Sequence, residues 1–267
     1  MSSGLGGLYL KALTGFTKRG GELPARVYER VGVAVDAGHL ASYSQVCGFR
    51  LSDELPATYL HVVAFPLQVR LMTDADFPFP LIGSVHVANR IVQHRPVGVG
   101  ERVDLRVHVE NLRPHPKGTQ FDMISSAAVD GAVVWHGTST YLRRGPGAGS
   151  PVQDSVPLPG SRWSVPGDIG RRYAAVSGDR NPIHLHPLAA RAFGFRRAIA
   201  HGMWSKARCL AAFEGRLPGG FEVDVRFKLP VMLPAVVGFY ADHGTGRFGL
   251  TDVGGTRPYL SGVISSL

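Results

Sequence analysis

The chain has 267 residues, 44% of them hydrophobic, which suffices for one large domain or two of ordinary size. No apolar run is long enough to span a bilayer, and two cysteines, Cys47 and Cys209, make no disulfide framework, which suits a reducing, cytoplasmic setting. The formal net charge of +9 comes mostly from arginine, and its scattering singly and in pairs, with no basic helix or RNA-binding signature, favours acidic small ligands over nucleic acid.

Residues 1–24 read as a lead-in, poor in acids and carrying Lys11, Lys18 and Arg19. They show no long apolar core and no clear cleavage site, which speaks against a secretory signal. A strand is expected at 31–35. A helix follows at 39–48, with Leu40, Tyr43, Val46 and Cys47 on neighbouring faces and Gly48 as its stop. Pro56 opens a second helical stretch at 57–72, in which Pro66 is a kink or break. After a turn-rich link come strands at 83–93, 102–111, 119–130 and 132–143. Val103, Leu105, Val107 and Val109 alternate with polar residues, as a half-buried strand requires, and Asp130-Gly131 is a hairpin signal.

The Gly-, Pro- and Ser-rich stretch 145–167 has little periodicity and reads as a linker. A second series then begins. A helix is expected at 169–177, a short one at 187–193 stopped by Gly194, and a stronger one at 203–213 opened by Gly202. Strands follow at 221–229, 235–243, 247–252 and 258–267.

The helix-then-strands order therefore occurs twice, about 130 residues apart. Tyr43 with Cys47-Gly48 corresponds to Tyr173 with Ser177-Gly178. The order implies a duplicated α+β unit, an antiparallel sheet wrapped around a helix, with repeats at 25–145 and 168–267 joined by a linker at 146–167. After Gly48 the first copy continues Phe49-Arg50-Leu51-Ser52-Asp53. After Gly178 the second reads Asp179-Arg180-Asn181-Pro182-Ile183-His184.

Only the second copy thus carries an acid and an imidazole on one short turn. Gly178 permits backbone angles that a Cβ forbids, and Pro182 biases Asn181 toward extended angles. These residues are expected on a rigid loop between two helical pieces. A carboxylate and an imidazole held together can bind one water and move its protons. Alone, an Asp caps turns and a His fills cores. Here an aromatic residue, a small-Gly-Asp-x-Asn-Pro-aliphatic-His run and a later small residue are all present, as Tyr173, Ser177, Gly178, Asp179, Asn181, Pro182, Ile183, His184 and Ala190.

That pattern resembles the signature of the MaoC-like, or type 2, enoyl-CoA hydratases. The resemblance implies a double hot-dog fold and reversible addition of water to trans-2-enoyl thioesters, giving (R)-3-hydroxyacyl thioesters. It implies Asp179 and His184 as the catalytic pair. The Ala200-His201-Gly202-Met203 run also matches, and it implies Gly202 as main-chain donor to the thioester oxygen at a helix start, where N–H groups are unpaired. Asn181 is expected to tie down the turn through its own backbone bonds, and with Ser177 to position the substrate. Arg196 and Arg197 are weaker candidates for contact with the phosphates of coenzyme A or an acyl carrier protein. No cofactor is needed, since coenzyme A or the carrier belongs to the substrate. His184, His186 and His201 with Asp179 could suggest a metal site, but no Cys pair or helical His spacing supports one. The stretch 57–72 either lines an acyl tunnel or is a core helix. A monomeric pseudo-dimer or a homodimer is expected. The rival readings are a hot-dog thioesterase and a non-catalytic acyl-binding subunit.

Overall fold

The computed structural model describes residues 21–145 and 157–267. The lead-in, apart from its last few residues, and residues 146–156 of the stretch read as a linker lie outside the described residues. In the first repeat, β1 (Tyr28–Ala34) precedes helices α1 (Ala37–Cys47) and α2 (Tyr59–Met72), then strands β2 (Ser84–Gln93), β3 (Arg102–His115), β4 (Gly118–Val129) and β5 (Ala132–Arg144). The second contains β6 (Ser161–Val165), α3 (Ile169–Ser177), α4 (Pro182–Leu185), α5 (Pro187–Ala192) and α6 (Gly202–Ala211). Strands β7 (Phe221–Phe227), β8 (Ala235–Asp242), β9 (Arg247–Thr251) and β10 (Pro258–Ser266) complete it.

All ten strands form one antiparallel sheet in the order β1-β3-β4-β5-β2-β7-β10-β9-β8-β6. The two halves of this order have the same topology. Each repeat's first strand lies at an outer edge, its second at the junction, and the other three between. β6 is thus the counterpart of β1, although it falls within the stretch read as a linker. We therefore start the second repeat at Ser161 rather than at residue 168.

Local chemistry explains the central helices. Asp36 caps α1 by accepting from His39 N–H at 2.8 Å, and Gly48 ends it at φ 81°. Helix α3 ends the same way at Gly178, at φ 73°. The two central helices face each other through the matched tyrosines: Tyr43 and Tyr173 are buried with ring centroids 6.3 Å apart. Tyr43 Oη donates to Thr58 Oγ1 at 2.8 Å, so the buried hydroxyl is satisfied. Helix α2 runs through Pro66 without ending there. It is a core helix: Leu60, Val62, Ala64, Val69 and Leu71 are among its buried residues. Val103, Leu105, Val107 and Val109 point inward from β3 as their alternation predicts.

The halves join where β2 pairs with β7, from Ala88↔Arg226 to Gln93↔Phe221. On the open side Arg90 and Glu222 form a two-pronged ion pair at 2.5–2.6 Å. On the inner side Lys206 of α6 is wholly buried. Its ammonium donates to Asn89 Oδ1 at 2.6 Å, Asn89 O at 2.9 Å and Val223 O at 3.1 Å, one strand on each side of the junction. Burial pushes its pKa well below the usual lysine value, while Asp224 and Glu222 act in the opposite sense. Lys206→Met keeps the bulk but leaves three acceptors without their donor. It is expected to lower stability by about 2–4 kcal/mol, read as an earlier midpoint in urea unfolding. An unchanged midpoint would show that the junction stands without this tie.

Candidate active site

The geometry of the turn comes from its own short bonds. Gly178 N–H returns to Ala174 O at 3.0 Å, closing α3. Asp179 N–H donates to Ser177 Oγ at 3.1 Å, and Asn181 N–H donates to Asp179 Oδ1 at 3.1 Å. Asn181 Oδ1 in turn accepts from Ile183 N–H at 3.4 Å, with Pro182 as the first residue of α4. His184 therefore sits on one helical turn, not on the loop expected from the Asn-Pro pair. Asn181 ties down the turn through its own backbone bond, as expected, and Ser177 likewise bonds to the turn's main chain, so both shape the acid–imidazole pair. Gly170 allows the approach of α3 to this turn, because a Cβ there would run into the His184 carbonyl.

His184 Nδ1 donates to Ile199 O at 2.8 Å, since a carbonyl can only accept. The bond fixes the ring and leaves Nε2 as a lone-pair donor. Burial lowers the His184 pKa, against the opposing effects of the Asp179 charge and the Ile199 bond. The imidazole is accordingly neutral at neutral pH.

A third group completes the site. His201, the residue before α6, is 2% exposed and stacks on His184 with ring centroids 3.7 Å apart. Its Nε2–H donates to Asp179 O at 3.0 Å and lies 3.8 Å from Asp179 Oδ2. Burial and the neighbouring His184 push its pKa down to about 3, so it is neutral. Its Nδ1 is buried with no hydrogen-bond partner among the described residues. Sequence reasoning named His201 only as part of the matching His-Gly-Met run and as a weak metal candidate. The flanking positions gave no sign that it would lie on His184.

Side-chain donor atoms of Asp179, His184 and His201 all lie within 4.8 Å of one another. That span fits one water hydrogen-bonded between carboxylate and imidazole. Among the described residues, the same three are the set that could hold a metal. His186 does not join them. It caps α5 by accepting from Leu188 N–H at 3.3 Å.

Gly202 is the first residue of α6, where its N–H lies outside the helix's own ladder. A Cβ on it would meet the Phe227 ring at 3.0–3.1 Å, so alanine here disturbs packing even though it keeps the N–H. Phe227 in turn meets His86 of β2 edge-on, with centroids 5.1 Å apart, and His86 stacks on Tyr141 at 4.8 Å. His61 of α2 lies beside His86 at 6.2 Å. The Asp179 charge is felt at His61, His86 and Tyr141, yet burial keeps both histidines neutral, at about 4 and about 3. The first repeat therefore borders the site with neutral polar groups that its sequence did not announce. Arg196 and Arg197 lie outside this cluster, in an open groove shared with Met232 and Arg257.

The fold and site together define a two-repeat hot-dog enzyme with a single acid–imidazole turn. The family model of the MaoC-like domain matches residues 149–256. The chain is 37% identical over 255 residues to 3-hydroxyacyl-thioester dehydratase X of Mycobacterium tuberculosis, covering 92% of this chain and 91% of that one. The chain therefore belongs to the MaoC-like dehydratase family. A crystal structure of the M. tuberculosis HtdX protein superposes with a TM-score of 0.83 at 36% identity, over 91% of this chain and 100% of that chain. The (R)-specific enoyl-CoA hydratase of Aeromonas caviae is 36% identical over 66 residues, 25% of this chain and 49% of that enzyme. Another M. tuberculosis protein with a double hot-dog fold matches at TM-score 0.54 and 14% identity, over 91% of this chain and 95% of that chain, which supports the fold alone.

Two substitutions separate the contributions of His201. His201→Phe keeps a ring on His184 but loses the bond to Asp179 O. His201→Gln keeps an amide donor and loses the stack. The phenylalanine variant is expected to lose about tenfold or more in kcat with a smaller change in KM, and the glutamine variant to recover part of it. Equal, near wild-type kcat values would show that His201 merely fills space.

Proposed function

We propose that the chain catalyses the reversible hydration of trans-2-enoyl thioesters to (R)-3-hydroxyacyl thioesters, with Asp179 and His184 as the acid–base pair. The observation that carries this reading is the turn itself. It holds a carboxylate and a neutral imidazole within one water's span, and the imidazole is oriented through Nδ1 so that Nε2 is free. In hydration, the water between them gives its hydroxyl to C3 and a proton to one member of the pair. The pair then passes that proton on to C2, since the carboxylate and the neutral imidazole, whose Nδ1–H is held by Ile199 O, carry no other to give. Dehydration runs the same steps backward.

As C2 takes up or loses its proton, negative charge builds on the thioester oxygen. The Gly202 N–H at the start of α6 is the donor we assign to it, supported by the helix dipole. The chemistry needs no cofactor in this reading, because protons are the only species the protein must move. Coenzyme A or an acyl carrier protein enters as part of the substrate, and we assign Arg196 and Arg197, which line an open groove, to its phosphate. The dehydratase and hydratase activities named for the relatives agree with this assignment. Two buried free cysteines support a reducing, cytoplasmic setting, and among the described residues no helix is long and apolar enough to cross a membrane. The chain would act as a monomeric pseudo-dimer or as a homodimer.

Asp179→Asn and His184→Ala are each expected to lower kcat for crotonyl-CoA hydration by about two to four orders of magnitude, with the fold retained by circular dichroism. The pH profile follows from the direction of the His184 shift. The ring works as the neutral form and its pKa is depressed below the usual 6.5, so kcat/KM should be flat near neutrality. It should fall only as pH drops through a value below that. Near wild-type rates in either folded variant would remove this mechanism.

A further inference from the structure

Three arginines that come from separate parts of the second repeat converge on one groove. Arg196 and Arg197 lie between α5 and α6, and Arg257 lies on the β9–β10 connection. With Met232 they line an open space of about 680 Å³. All three are exposed, and among the described residues no ion pair engages any of their guanidinium groups. The nearby carboxylate of Asp252 is occupied by its own turn, accepting from Thr256 N–H at 2.7 Å and Arg257 N–H at 2.8 Å. Arg257 is felt by the Asp252 carboxylate, but no ion pair forms, and three like charges with this one partial counter-charge still favour a polyanion.

The groove adjoins a second, smaller space of about 320 Å³ whose walls include Pro230, Pro234 and Tyr259. Charge and flat apolar surface therefore lie side by side. The groove is also tied to the catalytic imidazole through a single chain segment. Ile199 bridges to Met232, Ala200 N–H donates to Val231 O at 2.9 Å, and Leu233 N–H donates to Ala198 O at 2.8 Å. That same Ile199 presents the carbonyl that holds His184 Nδ1.

Resting on the thioester-hydratase reading, we infer that this groove binds the 3′-phosphorylated adenosine diphosphate end of coenzyme A, with Arg257 as a third phosphate ligand beside Arg196 and Arg197. The ligand matches both halves of the site. It carries several phosphate charges for the three guanidinium groups and a flat purine for the Pro–Tyr wall. A phosphopantetheine arm on a carrier protein offers one phosphodiester charge and no purine. The substrate class is accordingly the coenzyme A thioester.

The test compares crotonyl-CoA with crotonyl-N-acetylcysteamine, which has the same reacting end and no phosphate. Arg257→Ala and the double variant Arg196→Ala/Arg197→Ala are expected to raise KM for crotonyl-CoA by about tenfold or more. Their kcat should stay within about twofold, and kcat/KM for the short thioester should not change. Adenosine 3′,5′-bisphosphate should compete with crotonyl-CoA and bind the wild-type protein by calorimetry, and Arg257→Ala should weaken it by about tenfold. A bisphosphate that neither binds nor competes overturns the inference. So does an equal loss on both thioesters, or a loss confined to a crotonyl carrier-protein substrate. If the wild type binds the bisphosphate but hydrates neither thioester, the hydratase reading fails while the groove assignment stands.

Discussion

The pairing of β2 with β7, closed from below by Lys206, is the constraint on which the rest of the molecule depends. Two five-stranded halves become one sheet only along this line. A buried ammonium is costly unless it is fully hydrogen-bonded, and here three oxygens meet it, two from Asn89 and one from Val223. Lys206 lies one turn along α6 from Gly202. The tie that joins the repeats therefore also sets how the start of α6 faces the site. Phe227, at the end of β7, then presses on Gly202 from one side and on His86 of the first repeat from the other.

The site is built on a short loop between rigid supports. Gly178 stops α3, Pro182 starts α4, and between them Asp179 and Asn181 are engaged in the turn through backbone and side chain. His201 reaches across from α6 and binds the Asp179 main chain while lying flat on His184. The two groups proposed as the acid–base pair thus share a support that carries no charge. A neutral stacked ring can hold them at close range without competing for the proton they exchange. The remaining burial around the pair is what keeps His184 in its basic form.

Most of the fold was legible because its signals are local. Strand alternation in β3, the glycine stops of α1 and α3, and the Asp130-Gly131 hairpin are each written within a few residues. The acid–imidazole turn was legible for the same reason. What stayed hidden depends on residues distant in sequence. β6 has five residues in a Gly-, Pro- and Ser-rich setting, and only its pairing with β8 makes it a strand. A lysine in mid-helix reads as solvated surface until Asn89 and Val223 are brought to it. Gly170 offers no periodic signal, since its need arises from the His184 carbonyl packed against it. Arg257 is 60 residues from Arg197, and no spacing rule joins them. Of the kink or break expected at Pro66, the break does not occur: α2 continues through it, held by tertiary packing.

The ends of the sheet have a consequence for how copies of the chain can meet. Continuous sheets invite growth at their free edges, where unpaired main-chain groups can template another strand. Here one edge, β1, is charged at Glu29 and Arg30 and loses its register between Arg30 and Val33, where Gly32 takes φ 66° and gives its N–H to Asp104. The other edge, β6, is only five residues long and exposes Arg162. Duplication has thus used the other edge of each half, β2 and β7, in the shared junction and left outward the two edges that carry these defences.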